Sequence, residues 1–221
     1  MTAQPTLAQE IAKRTLARFA SGRADKELYQ QVNGYAPHGS AKSLHDDNAS
    51  TEVLISGPAG TGKSRACLEK LHKCAQMYPR SRYLIIRETR ASLSETALQT
   101  FEDHVLGLDH PLTAGTKRTW RHKYTYPNGS EIVLGGMDKV TRLGSSEFDM
   151  IFVQEAIELS ENVWEWLTGR LRNGKMHFQQ LIADTNPDNP EHWLYKRCNA
   201  QPAKTRLIQS HHEDNPILYD V

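Results

Sequence analysis

Gly57, Gly62, Lys63 and Ser64 stand at the spacing G-x-x-x-x-G-K-[ST], filled out by Pro58, Ala59, Gly60 and Thr61 to G-P-A-G-T-G-K-S. That arrangement suits one chemistry, holding the phosphate tail of a nucleotide. The glycines let the main chain bend tightly with no Cβ in the way, so successive backbone N–H groups converge on an anion. Lys63 adds a point charge for the β- and γ-phosphates, and Ser64 offers a hydroxyl to Mg2+. An apolar run, T-E-V-L-I-S, precedes the loop and a helical pattern follows it, so the positive end of a helix faces the same point. A glycine-rich turn with a solvated lysine would need none of this context. ATP with Mg2+ is the expected ligand.

A cradle does not by itself hydrolyse what it holds, so a carboxylate is expected at the end of another buried strand. Glu155, in F-D-M-I-F-V-Q-E-A, closes an apolar run where a charge needs a purpose. The expected role is orienting and polarising the attacking water; the alternative is an acid capping the following segment. Gln154 stands where NTPases of this kind usually carry a magnesium-associated Asp, and a neutral amide cannot supply that charge. The metal would then rest on Ser64, phosphate oxygens and waters, with Gln154 contributing at most a hydrogen bond to one of those waters. Asp149, at the other end of the strand, reads as structural.

These groups need strands and helices to bring them together. Residues 1–50 read as a lid or lead-in segment, a helix over Leu7–Ala20 and then polar, Gly- and Pro-punctuated chain. Residues 51–221 read as the P-loop domain. A strand ends at Ser56, a helix runs from Arg65 to Tyr78 before Pro79, a second strand covers Y-L-I-I-R, and a helix over Ser92–Val105 opens with Ser92 and Glu95 at capping-box spacing. The runs K-R-T-W-R-H-K-Y-T-Y and S-E-I-V-L flank P-N-G and predict an inserted β-hairpin. M-I-F-V-Q, H-F-Q-Q-L-I-A-D and T-R-L-I-Q-S are further strands, with a helix over Glu161–Leu171 between the first two. The alternation implies an α/β fold, a P-loop NTPase of the additional-strand type whose mainly parallel central sheet is flanked by helices, with its ligand at the carboxyl ends of the strands.

The chain has 221 residues with 27 Lys plus Arg against 26 Asp plus Glu, so a net charge of +1 sets up no global field toward nucleic acid or membrane. Polyanion contact must be local. No apolar run reaches the roughly 18 residues of a membrane span and the first residues lack a signal peptide, so an intracellular protein without a membrane partner is expected. Cys67, Cys74 and Cys198 form no C-x-x-C pair and read as core thiols. The adjacent His211 and His212 read as a polar loop rather than a metal site. Trp164, Trp166 and Trp193 read as core or interface anchors.

Together with the phosphate loop, the stretches Y-L-I-I-R-E-T-R-A-S-L, P-N-G-S-E-I-V-L-G-G, V-Q-E-A-I-E-L, D-T-N-P-D-N-P-E-H-W-L and E-D-N-P-I-L resemble the ATPase domain of tailed-phage terminase large subunits. The resemblance implies ATP hydrolysis driving double-stranded DNA into a viral procapsid, in host cytoplasm. It implies as partners the portal protein of the procapsid, the small terminase subunit, and further copies of the chain in a ring when assembled, with a monomer in solution before docking as the alternative. Lys63 and Ser64 would hold phosphate and metal, and Glu155 would be the catalytic carboxylate. Thr185 and Asn186, in D-T-N-P, would sense the γ-phosphate; an Asx-type turn is the alternative for each. Arg142, in K-V-T-R-L-G, is the chosen arginine finger, with Arg170 and Arg172 as alternatives and an ordinary surface role open. Gln30 and Gln31 are weakly aligned with an adenine-contacting glutamine. The family's RNase-H-like nuclease domain finds no room in this length, so no DNA cleavage is expected.

For DNA, Lys117, Arg118, Arg121 and Lys123 interleave with Trp120 and Tyr124 and make the best local cationic patch, one suited to sequence-independent phosphate contact. A charged edge strand guarded against pairing is the bland alternative. Two rival functions stand beside the motor: a nucleotide-gated DNA-binding or assembly module with little turnover, which Gln154 keeps open, and a P-loop small-molecule kinase.

Overall fold

The computed structural model describes residues 34–107, 110–138, 143–187 and 189–215. Contacts divide the chain at Ala36/Pro37, and the account below concerns the second unit. Helix α1 (Gly39–Asp46) lies within this unit and buries Leu44 in its core, so the compact body begins before the Thr51 boundary read from the sequence.

Seven strands form one sheet in the order β3-β4-β2-β5-β6-β1-β7. They are β1 (Glu52–Ser56), β2 (Arg82–Arg87), β3 (Lys123–Thr125), β4 (Glu131–Gly136), β5 (Met150–Val153), β6 (Gln180–Thr185) and β7 (Thr205–Gln209). All neighbours pair in parallel except β3 with β4. Because β6 lies between β1 and β5, the additional-strand arrangement expected from the sequence is present. Burial on both faces explains the near-continuous apolar runs in β1, β2, β5 and β6.

Alternate side chains on each strand enter two cores. Val53, Ile55, Ile85, Phe152 and Ile182 meet α1 and α2 (Lys63–Met77), whose Ala66, Leu68 and Leu71 are buried against them. Leu54, Leu84, Ile151 and Ala183 meet α5 (Glu161–Thr168) and α6 (Trp193–Ala200) through Trp164, Leu167 and Leu194. Burying each large side chain is worth about 1.5–3 kcal/mol. At the amino-terminal edge, Glu52 is fully buried and accepts hydrogen bonds from Arg197 Nε at 2.8 Å, Arg197 Nη2 at 2.9 Å, Thr205 Oγ1 at 2.6 Å and Trp164 Nε1 at 3.1 Å. Burial would raise the Glu52 carboxyl, but these donors hold it below its ordinary value. One acid thus pins β1, β7, α5 and α6 together.

Several local expectations shift. The helix expected from Ser92 begins as α3 (Arg90–Glu95), capped by Thr89, whose Oγ1 accepts the Ser92 N–H at 3.2 Å. It breaks at Thr96 into α4 (Ala97–Thr100) and a π-helical turn over Phe101–Leu106. Helix α5 stops at Thr168 rather than Leu171. The hairpin forms, but only β3 and β4 pair, and Arg118–Trp120 is a 3-10 turn. The three cysteines are free and buried, as expected of core thiols.

Candidate active site

Between β1 and α2 the loop turns on glycines where no other residue fits. Gly60 has φ 82° and Gly62 φ 85°, the left-handed region that L side chains rarely adopt. At Gly57 the reason is space: a Cβ would come 2.2 Å from the Ser210 carbonyl oxygen at the end of β7. Gly62 ends the loop and caps α2, which leaves the first amides of the helix aimed into the loop.

A 310 Å³ cavity opens over this loop, walled by Ala59, Gly60, Gly62, Lys63 and Ser64 on one side and by Glu155 and Asn186 on the other. The loop residues and the two strand tips expected to face them are therefore in one place. Lys63 Nζ donates to Gly57 O at 2.7 Å, Pro58 O at 2.6 Å and Asn186 Oδ1 at 3.2 Å, so the ammonium is parked on its own loop. Burial lowers its pKa, opposed by the nearby carboxylates of Asp184 and Glu155. Thr61 Oγ1 braces the same loop through Pro58 O at 3.2 Å.

Glu155 follows β5 at φ 51° and ψ 58°, a left-handed conformation strained for a glutamate, and so turns its side chain out of the strand line into the cavity. Two contacts hold this turn. The Glu155 amide donates to Asp184 Oδ1 at 2.8 Å, and Arg87, at the tip of β2, grips Glu158 through bonds of 2.6 and 2.9 Å. Gln154 does not line the cavity; its Oε1 accepts Thr96 Oγ1 at 2.8 Å. Thr185 and Asn186 also part company. Asn186 reaches Lys63, whereas the Thr185 hydroxyl donates to Asn186 O at 3.2 Å and its carbonyl accepts the Gly57 amide at 3.3 Å.

Sequence reasoning missed four residues here. Asn215 Nδ2 donates to Gly60 O at 2.6 Å and lines the cavity, as do Thr100 and Arg65. Asp184 is fully buried between Ser64, Lys63 and Glu155, and burial pushes its carboxyl up from 3.8 to about 6. Its signal was present, an acid closing the apolar run Q-L-I-A-D, the same cue that marks Glu155. Among the described residues no cluster of His, Cys, Asp and Glu could hold a metal unaided, so a cation here would depend on ligand oxygens as well.

Other candidates fall elsewhere. Arg142, Gln30 and Gln31 lie outside the described residues, as does the Leu7–Ala20 helix. Arg170 and Arg172 flank the bridge between Phe148 and Leu171, at the amino-terminal edge of the sheet away from the cavity; Arg170 lies over Trp166 and Arg172 pairs with Glu147. The cationic patch is not an open one. Arg121 is buried, donating to Leu112 O at 2.9 Å and Thr113 O at 2.6 Å, and Arg118 pairs with Glu102 at 2.8 Å and Asp103 at 2.9 Å. Lys123 pairs with Glu131 at the surface, and Lys117 is exposed. Asp149 accepts the Arg82, Lys175 and Met176 amides and Asn173 Nδ2, a structural role as read. No described helix is long and apolar enough to cross a membrane.

No curated protein matches the chain. Among solved structures it is similar to the large terminase of a thermophilic bacteriophage, with a TM-score of 0.63 at 11% identity, covering 84% of this chain and 49% of that one. The chain therefore spans about half the length of that protein. The same phage terminase in complex with ADP gives a TM-score of 0.63 at 12% identity over 83% and 47% of the two chains. The ATPase domain of the Thermus phage P74-26 large terminase gives 0.56 at 21% identity over 75% and 70%. These likenesses establish the fold. Over residues 48–221 the sequence matches the family described as phage terminase large subunit, and the chain belongs to that family.

Proposed function

We propose that this chain is an ATPase whose turnover drives double-stranded DNA into a procapsid. The observation that carries the reading is that Glu155, turned out by its left-handed backbone, shares one cavity with Lys63 and Ser64. The α2 amides and Lys63 would bind the β- and γ-phosphates. Glu155 would orient the attacking water and take its proton. Asn186, already bonded to Lys63, would register the loss of the γ-phosphate. Mg2+ would supply positive charge on the phosphate oxygens, held in part by Ser64. The thermophilic-phage terminase solved with ATP-gamma-S and with ADP supports adenine nucleotides as the ligands.

DNA, the portal, the small subunit and a ring of copies follow from family membership and belong to the proposal, as does an arginine finger at Arg142. DNA contact from the hairpin region would rest on Lys117 and Lys123, the two of the four cations left at the surface. The deciding experiment measures ATP hydrolysis with and without double-stranded DNA alongside nucleotide affinity. Lys63→Ala should lose affinity, and Glu155→Gln should keep affinity and lose turnover by about 100-fold or more. Normal turnover by Glu155→Gln would remove Glu155 from catalysis. Tight binding with negligible turnover by the parent chain would favour the gated-binding reading.

A further inference from the structure

Asp184 carries a buried carboxylate oxygen that meets no hydrogen-bond donor among the described residues. It stands one residue before the end of β6, opposite Ile55 of β1, and the pairing of Val153 with Ala183 puts Gln154 at its other flank. Ile182, two residues earlier, packs into the core on the α2 side, so alternation sends the Asp184 side chain beneath the start of α2. One oxygen, Oδ1, accepts the Glu155 amide at 2.8 Å. The other, Oδ2, is buried without a hydrogen-bond partner among the described residues.

A buried, unpaired carboxylate oxygen is costly and calls for a missing positive partner. Lys63 acts on it only through its charge, since the ammonium's hydrogen bonds go to Gly57 O, Pro58 O and Asn186 Oδ1. Ser64, at the first turn of α2, sets its hydroxyl against this carboxyl and, with the Glu155 amide, works against the burial that raises it, but a hydroxyl brings no positive charge. A carboxylate and a hydroxyl converging beside a phosphate cradle are the hard oxygen donors that Mg2+ takes. Gln154 cannot bring the charge, and its Oε1 is already engaged by Thr96.

We propose that Asp184 is the acidic group that holds the nucleotide's Mg2+ together with Ser64, so that the carboxylate has moved from the end of β5 to the end of β6. The inference rests on the cavity taking a magnesium nucleotide, as proposed above. Magnesium retention is then no weaker for the presence of Gln154, and the same side chain that holds the metal fixes the turn of Glu155.

The test compares the affinity of a fluorescent ADP analogue in Mg2+ and in EDTA, and records Mn2+ binding to the ADP complex by electron paramagnetic resonance. Asp184→Asn keeps an oxygen for the Glu155 amide and removes the charge. It should bind ADP in EDTA as the parent does, lose at least tenfold of the gain that Mg2+ confers, and bind Mn2+ correspondingly less tightly. Asp184→Glu, which displaces the carboxylate by one methylene, should show the same loss and serves if the Asn variant folds poorly. Full Mg2+ enhancement and full Mn2+ affinity in these variants would overturn the assignment. Failure of the parent chain to bind ADP in either buffer would instead overturn the nucleotide reading beneath it.

Discussion

Acid should loosen this fold through two histidines held neutral, His72 in its core and the half-buried His45 at the core's margin. His72, on α2, lies among Phe101, His110 and Tyr126 with its Nδ1 2.7 Å from the Tyr126 hydroxyl. Burial, then the charge of His110, lowers it from 6.5 to about 3. His45, on α1, has Nε2 3.1 Å from Ala66 O and is lowered to about 3 by burial and then by Lys70 and Lys73. Both are bases depressed by folding, so the unfolded chain binds more protons below 6.5 and stability falls as pH drops through that value. At pH 5 each would forfeit about 2 kcal/mol relative to pH 7.5. Asp184 acts the other way, because its raised carboxyl gains protons in the folded chain first; between pH 7.5 and 5 it returns about 1 kcal/mol. The net loss is about 3 kcal/mol, a large share of a typical 5–15 kcal/mol. Urea unfolding of the nucleotide-free chain should show it as a midpoint lower by about 1 M at pH 5.0 than at pH 7.5. The His45→Gln/His72→Gln variant should show little of that pH difference, whatever its absolute stability. An unchanged midpoint in the parent, or an undiminished acid loss in the double variant, would refute the assignment of neutral histidines.

Three further outcomes are expected. Arg197→Ala should destabilise the chain by about 3 kcal/mol, measured by urea unfolding, because it takes the two-pronged cation from the buried Glu52 carboxylate and leaves only the half-exposed Lys204 at 3.3 Å to balance its charge. Gly57→Ala should lose about 1–3 kcal/mol of stability and most nucleotide affinity, since the added methyl meets the Ser210 carbonyl and must push the phosphate loop aside. Arg87→Ala should cost under about 1 kcal/mol in melting experiments yet reduce turnover about tenfold at unchanged nucleotide affinity, because it frees the turn that carries Glu155.

The parts legible in the sequence were those written in consecutive residues. The loop from Gly57 to Ser64 follows from glycine and lysine spacing, and the four strands β1, β2, β5 and β6 announce themselves as apolar runs because both faces of the sheet are covered. Glu155 was legible for the same reason, as a charge closing such a run. What stayed hidden depends on partners distant in the chain. Arg118 and Arg121 read as a patch because nothing local reveals that Glu102, Asp103 and the carbonyls of Leu112 and Thr113 would claim them. Glu52, inside the run T-E-V-L-I-S, carries no local sign that Arg197 and Trp164 close over it. Asp184 carried the same local cue as Glu155 but merged into the turn signal of T-N-P that follows, and only strand order sets it beside the phosphate loop. The helix boundary at Thr89 was misplaced because Ser92 and Glu95 imitate a cap that Thr89 makes three residues earlier.

Strand β6 touches both halves of the machinery at its tip: the carbonyl of Thr185 receives the Gly57 amide, Asp184 grips the Glu155 amide, and Asn186 meets Lys63. A displacement of that tip by even an ångström would lengthen bonds to the two sides at once. Under the proposed function, loosening the phosphate loop and releasing the turn of Glu155 would therefore be one mechanical event.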